Sequence, residues 1–423
     1  MVIVHVIRSL DPAEGGPPMI ACRIAAAQAS LGHDVHLVHY QVPGSSERVQ
    51  TMLASLPHHQ RIHFHALPSP SMIERLLARN TRSALADLLD RIRPQALHLH
   101  NVWDPILRAA AAEAVRRQIP YLILLNGMLD PWSLSQKPWK KRLALVLGYR
   151  TMLNRAAALH TGNTDETQLI APLGLTAPAV IIPNGVFIEE IEPLPPSTSF
   201  HAQHPELDGR PFVLFLSRLH YKKGLDYLAD AFAIVAHDNS EVRLVVAGPD
   251  DGARADFEQR IAQAGLAPRV HIVGPLYGPA KLAALTGSAC FCLPSRQEGF
   301  SVAITEALAC RVPVVVSEQC HFPEVATAGA GFVVKLDPHE IASAVLRVLA
   351  DAHRATQMGH AGRSLVESRY TWPRVAEQCV AAYQRALSHY GPAAASTSPP
   401  NPQPPSGRSP AAAPGPNPPR TWG

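Results

Sequence analysis

Short apolar runs alternate with helix-patterned segments along most of this chain, and few folds accept that pattern. Strand-type runs fall at residues 2–7, 34–40, 96–100, 121–125, 158–161 and 180–182. They recur at 212–217, 242–247, 270–273, 289–293, 312–317 and 331–334. They are rich in apolar residues, as strands covered on both faces are. Helical segments between them imply parallel strands joined by crossovers. The result is a doubly wound α/β sheet whose ligands sit beyond the carboxyl ends of its strands. At 423 residues the chain exceeds one ordinary domain. Pro193, Pro195 and Pro196 mark a linker. The expected units are therefore two Rossmann-like domains, at 1–192 and 193–371, with a helix at 372–390. Residues 391–423 hold 11 prolines in 33 positions and no acidic residue, a composition too poor in buriable surface to fold.

Composition narrows the partners. With 47% apolar and 17% charged residues the chain is globular, and a net charge of +4 without a basic–aromatic cluster argues against nucleic acid. The six cysteines (22, 290, 292, 310, 320 and 379) form no CxxC pair and read as buried thiols. The 21 histidines are scattered, with no HExxH helix and no expected metal. The chain opens on a strand, and no apolar stretch reaches the ~18 residues of a spanning helix. The expected location is cytoplasmic, at most peripheral to the inner face of a membrane.

The chemistry concentrates in residues 289–317. A buried strand ends at Pro294-Ser295, a loop carries Glu298 and Gly299, a helix follows, and Pro313-Val-Val-Val-Ser317 forms the next strand. The helix start offers unpaired N–H groups near Gly299, Phe300 and Ser301, which suit an anion. Glu298 stands beside them and Glu306 is eight residues on, expected two turns down the helix. A diphosphate bearing hydroxyls at both ends, such as a nucleotide sugar, fits this arrangement. A surface helix with two solvated glutamates fits the spacing equally well.

The motif Glu298-Gly-Phe-Ser-Val-Ala-Ile-Thr-Glu306-Ala, with Pro294-Ser295 before it and Pro313-Val-Val after it, resembles the E-x7-E signature of retaining group 1 glycosyltransferases. The resemblance extends over nearly all of residues 1–390. It implies the GT-B fold, with an acceptor-side domain at 1–192, a nucleotide-sugar-binding domain at 193–371, and the last helix crossing back to the first domain near Tyr370-Thr-Trp372. It also implies transfer of a hexosyl unit from a nucleotide-diphosphate sugar to a saccharide or lipid-linked saccharide. In this family Glu298 meets the sugar hydroxyls, Glu306 the ribose, and the glycine loop matching Gly15-Gly16 closes over the donor.

A departing diphosphate needs its charge neutralised by a metal or by fixed cations. No two aspartates stand two apart, so the DxD of metal-dependent transferases is absent and no metal or other cofactor is expected. The family's Arg-Leu…Lys-Gly pattern makes Arg218 and Lys223 the diphosphate clamp, with Lys222 solvated. On the acceptor side, His100, Asn101 and Trp103 end a strand where the family's acceptor motif begins. The stretch Asn126-Gly-Met-Leu-Asp-Pro-Trp132 resembles a subgroup acting on cell-surface polysaccharide precursors. That subgroup has His at the position of Asn126, beside the transferred sugar, and Asn cannot titrate. Beyond Trp132, a basic, leucine-rich helix through Arg155 reads either as an ordinary amphipathic helix or as a surface for anionic membrane. Two other activities stay open: a nucleotide-sugar epimerase on the same fold, and a silent nucleotide-sugar-binding partner of an active transferase.

Overall fold

The computed structural model describes residues 1–390 except 73 and 75–77; the proline-rich tail expected at 391–423 lies outside the described residues. Thirteen strands in the described residues form two all-parallel sheets. The first contains β1 (Val2–Val6), β2 (Asp34–Tyr40), β3 (Ile62–Leu67), β4 (Ala96–His100), β5 (Tyr121–Leu124), β6 (Ala158–Thr161) and β7 (Ala179–Ile181), in the order β3-β2-β1-β4-β5-β6-β7. The second contains β8 (Phe212–Leu216), β9 (Arg243–Ala247), β10 (Val270–Gly274), β11 (Cys290–Leu293), β12 (Val314–Ser317) and β13 (Gly331–Val334), in the order β10-β9-β8-β11-β12-β13. Both orders reverse beside the first strand of their sheet, which opens a crevice at the carboxyl ends. This is the GT-B architecture of two Rossmann-like domains.

The apolar runs account for the sheets. All of β5, β8, β11 and β12 is buried, as strands covered by helices on both faces must be. β3 was not expected. Its sequence Ile-His-Phe-His-Ala-Leu interleaves histidine with apolar residues, and it lies at the sheet edge, where only Ile62 is buried.

Two chain passages meet between the sheets. Val186 N donates to Tyr370 O at 2.9 Å, and Trp372 N donates to Val186 O at 3.0 Å. After the second passage the final helix (Trp372–Tyr390) packs on the helix Gly16–Ser30 of the first sheet, with Trp372, Val375, Ala376, Cys379 and Tyr383 in that core.

The basic segment after Trp132 is not one helix. It breaks into Pro131–Ser135, Pro138–Ala144, Leu145–Tyr149 and Arg150–Asn154. Gly148 takes φ 109, a value only glycine holds readily, and Leu147 leaves helical geometry beside it. All six cysteines are buried and unpaired. No helix among the described residues is long and apolar enough to cross a membrane.

Candidate functional site

The loop between β11 and the helix α1 (Val302–Ala309) carries the central residues. Glu298 is buried; its Oε1 accepts from Lys223 Nζ at 2.5 Å and from Ser295 Oγ at 2.7 Å. These partners meet because the neighbouring loops are fastened together. Arg296 grips the Asp226 carboxylate and the Tyr221 carbonyl, and its own N–H donates to Lys222 O at 2.7 Å. Gly224 is required here: it takes φ 69, and a Cβ on it would collide with the Pro294 carbonyl oxygen. Lys223-Gly224 thus combines a cation with the one residue type that lets this loop approach the next.

α1 begins at Val302, so Glu306 lies little more than one turn down it, nearer the loop than expected. Glu306 Oε1 accepts from Lys281 Nζ at 2.6 Å, and Lys281 escaped the sequence reading. Across from this pair, Arg23 grips Glu190 at 2.8 and 3.0 Å. Burial raises the Glu190 pKa, opposed by Arg23 and Lys281 and reinforced by Glu306. Charges from both sheets therefore share one neighbourhood.

Between the two glutamates lies an unused set of donors. No side chain caps α1 at Ser301. The first backbone N–H of the helix region to find a protein acceptor is Thr305, which donates to Ser301 O. The amides of Gly299, Phe300, Ser301, Val302, Ala303 and Ile304 have no acceptor among the described residues. Aligned N–H groups at the positive end of a helix dipole bind phosphate.

Facing this loop are the ends of β5 and β6. A cavity of about 440 Å³ between the sheets is lined by Asn126, Trp132, Glu166, Lys222, Glu298 and Phe300 among others. Asn126 takes φ 51 and Gly127 φ 70, a tight left-handed turn. Asn126 Nδ2 donates to Asn101 Oδ1 at 2.9 Å. Glu166, another residue the sequence reading missed, holds the turn. Its carboxylate accepts from Gly127 N at 2.6 Å and Gly162 N at 2.7 Å, and burial raises its pKa against those two bonds. The spacing Asn163-x-x-Glu166 carried a signal, since it has the form of a helix N-terminal capping box.

Several expectations change. Lys222 is not solvated: its Nζ lies 4.2 Å from the Trp132 ring centroid of the other sheet's loop and donates to Gln297. Arg218 is 62% exposed and paired with Asp251, whereas Lys223 is largely buried against Glu298. Gly15, with φ 98, needs to be glycine, whereas Gly16 has ordinary geometry and open space around it. The cavity wall there comes from Pro17 and Ile20. Trp103 buttresses the loop after β5, its Nε1 donating to Met128 O at 3.2 Å, and is not in the cavity lining.

His100 is fully buried and is not in the cavity lining. Strand alternation puts His98 and His100 on one face of β4, with His5 of β1 in register with His98. The histidines are therefore not all scattered: four of them form a ladder under Gln28 and Tyr383. His160 Nε2 faces the Ile182 carbonyl at 2.8 Å and must be its donor, which fixes every other bond. His98 Nε2 donates to His160 Nδ1 (3.2 Å), Tyr383 OH to His98 Nδ1 (2.7 Å), and Gln28 Nε2 to Tyr383 OH (3.1 Å). His5 Nε2 donates to Gln28 Oε1 (2.7 Å), and His100 Nε2 to His5 Nδ1 (2.9 Å). Only His100 Nδ1 is left over. Burial pulls the pKa of His5 and of His160 down to about 4, and those of His98 and His100 well below the usual value. One ligand atom from each of His5, His98 and His100 lies within 4.8 Å of the others, as holds for His98, His160 and Cys379. The imidazole nitrogens there are already committed, with that one exception.

Two all-parallel sheets, each doubly wound and meeting at this crevice, place the chain in the GT-B class of fold. Residues 15–185 match the model of the glycosyl transferase 4-like domain, and residues 197–365 match glycosyl transferases group 1. The chain belongs to the group 1 glycosyltransferases. It is 27% identical over 311 residues to alpha-maltose-1-phosphate synthase of Mycobacterium tuberculosis, covering 68% of this chain and 78% of that one. It is 25% identical over 386 residues to the GDP-mannose-dependent alpha-(1-6)-phosphatidylinositol dimannoside mannosyltransferase of the same species, covering 90% and 95%. Its fold matches that of HepE from Anabaena, solved in complex with UDP. The TM-score is 0.69 at 19% identity, over 91% of this chain and 100% of that one.

Proposed function

We propose that the protein moves a hexosyl unit, with retention of configuration, from a nucleotide-diphosphate sugar to an acceptor hydroxyl in the assembly of a surface polysaccharide. The observation that carries this reading is the run of six amides from Gly299 to Ile304 without an acceptor among the described residues, bracketed by the Lys223–Glu298 and Lys281–Glu306 pairs. The diphosphate lies against those amides. Lys223, held by Glu298, and the exposed Arg218 supply positive charge as the leaving group departs, in place of a metal. Glu306 accepts from the ribose hydroxyls and Glu298 from the sugar. Asn126, fixed by Asn101, offers the transferred sugar a hydrogen bond without exchanging a proton.

The acceptor enters beside Trp132. Trp139, Leu143, Val146 and Leu147 are exposed along the broken segment beyond it, with Lys137, Lys140 and Arg142 among them. Apolar side chains interleaved with cations suit the surface of an anionic membrane, and we assign the acceptor to a lipid-linked saccharide presented there on the cytoplasmic side. The reading is tested by supplying UDP-, GDP- and ADP-hexoses with a polyprenyl-diphosphate-linked saccharide, with chelator present. Transfer with the donor's anomeric configuration is expected. Inversion, or epimerisation of the donor without acceptor, overturns it.

A second reading rests on Asn126 itself. If proton exchange at that position is required, the chain binds donor without turning it over, and Asn126→His restores transfer.

A further inference from the structure

One turn of the acceptor-side sheet reaches across the cleft. The short helix Thr164–Ile170 is capped by Asn163, whose Oδ1 accepts from Glu166 N at 2.8 Å. The other end of the same side chain, Nδ2, donates to the carbonyl of Gly299 in the opposite domain. Two residues on, Asp165 Oδ2 lies 3.3 Å from His321 Nε2, in the segment after β12. Glu166 completes the turn by holding Gly127 and Gly162. A single helical turn thus touches the acceptor-side loop and the donor loop together.

The contact at Gly299 has a directional consequence. The peptide joining Gly299 to Phe300 is planar and trans, so its carbonyl and its N–H point in opposite directions. With the carbonyl drawn to Asn163, the Phe300 N–H is turned the other way, and it has no acceptor in the described residues. Glycine on the carbonyl side gives this peptide more than one accessible orientation, and no atom lies within 4 Å of where a Cβ would sit. One hydrogen bond from the first domain therefore selects which way a donor-loop amide faces.

We infer that Asn163 is a positioning residue that couples closure of the cleft to donor binding: when the domains close, it aims the Phe300 amide at the diphosphate sugar. This rests on the proposed nucleotide-sugar site. Binding energy from the donor flows back through the same bond, since an effect of closure on affinity is matched by an effect of donor on closure.

Two substitutions separate this role from capping. Asn163→Ser keeps a good cap but is too short to reach Gly299. Asn163→Asp keeps the cap acceptor while setting a carboxylate against the Gly299 carbonyl. Both should retain the thermal stability of the parent. The donor dissociation constant, by calorimetry with the nucleotide sugar that shifts the wild type, should rise about 3- to 10-fold in Asn163→Ser, the worth of one hydrogen bond, and further in Asn163→Asp. KM for donor should rise with it, while kcat at saturating donor changes little in Asn163→Ser.

A second readout needs no donor. Dyes on cysteines introduced at the exposed Thr51 and Gln259 should report a wider spread of separations in Asn163→Asp; the six native cysteines are buried and stay unlabelled. Parent-like donor affinity and parent-like dye separation in Asn163→Ser and Asn163→Asp overturn the inference. A wild type that binds no nucleotide sugar overturns the donor half of it, together with the proposed function. A changed separation in Asn163→Asp would then still establish the latch.

Discussion

Two polar networks in this molecule invite comparison: the histidine ladder inside the first sheet and the loop around Glu298 in the cleft. Both are assembled from several elements, and both contain buried polar side chains. They differ in what is left over. The ladder runs from His100 to the Ile182 carbonyl with a single orphan nitrogen. The cleft has six consecutive amides without acceptors among the described residues, and lysines held at its edge by carboxylates. A network that consumes its own hydrogen bonds specifies a structure; one that keeps donors in reserve is built for a ligand. Histidine number and proximity would have pointed to the wrong one.

The largest expected effect tests whether the ladder is closed. In the folded chain His5 and His160 stay neutral down to pH about 4, whereas unfolded imidazoles take protons near pH 6.5. Above 6.5 both states are neutral and these groups add no pH dependence. As pH falls from 6.5 towards 4, the unfolded state binds protons the native state refuses, so stability is lost, by roughly 3 kcal/mol for each imidazole. Urea titrations at pH 7, 6 and 5 measure this slope, and His160→Gln should flatten it by up to one proton. An unchanged slope would mean that the ladder protonates while folded.

Next comes the open network. Lys223→Ala should lower turnover by a factor on the order of 10²–10³, the usual loss when one charge-stabilising donor is removed. Near-normal turnover in a steady-state assay would remove Lys223 from the clamp. Smaller again is Tyr383→Phe, which deletes one hydroxyl and orphans His98 Nδ1 and Gln28 Nε2. Stability in a urea melt should drop by about 1–3 kcal/mol with donor affinity intact. A change in affinity would show that ladder and cleft are coupled. The smallest effect is at Arg218: Arg218→Ala breaks an exposed pair and should alter stability by under about 1 kcal/mol. Lost donor binding in that variant then reports on the site and not on the fold.

Much of the fold was readable because buried parallel strands are rich in apolar residues, and twelve such runs stood out. β3 did not, because an edge strand keeps polar residues on its open face. The basic segment was read as one helix because leucine spacing says nothing of a φ 109 at Gly148. At the site, Glu298, Glu306 and Lys223 were legible from a local motif. Lys281 was not, and the capping-box spacing of Asn163 and Glu166 announces a helix start but not their reach: the partners of Asn163, Glu166 and Lys281 lie 136, 39 and 25 residues away. His100 was misplaced although alternation on β4 already put it with His98.

The central claim is that the amides from Gly299 to Ile304 receive a nucleotide diphosphate with Lys223 beside them. The most direct measurement is a thermal-shift screen of UDP-, GDP- and ADP-sugars, with chelator present, on the wild type and on Lys223→Ala. At about 100 times its dissociation constant a donor stabilises the fold by about 2.7 kcal/mol. The account predicts that shift for at least one donor in the wild type, and a much smaller one at the same concentration in Lys223→Ala. Equal shifts in both proteins, or none in the wild type, would contradict it.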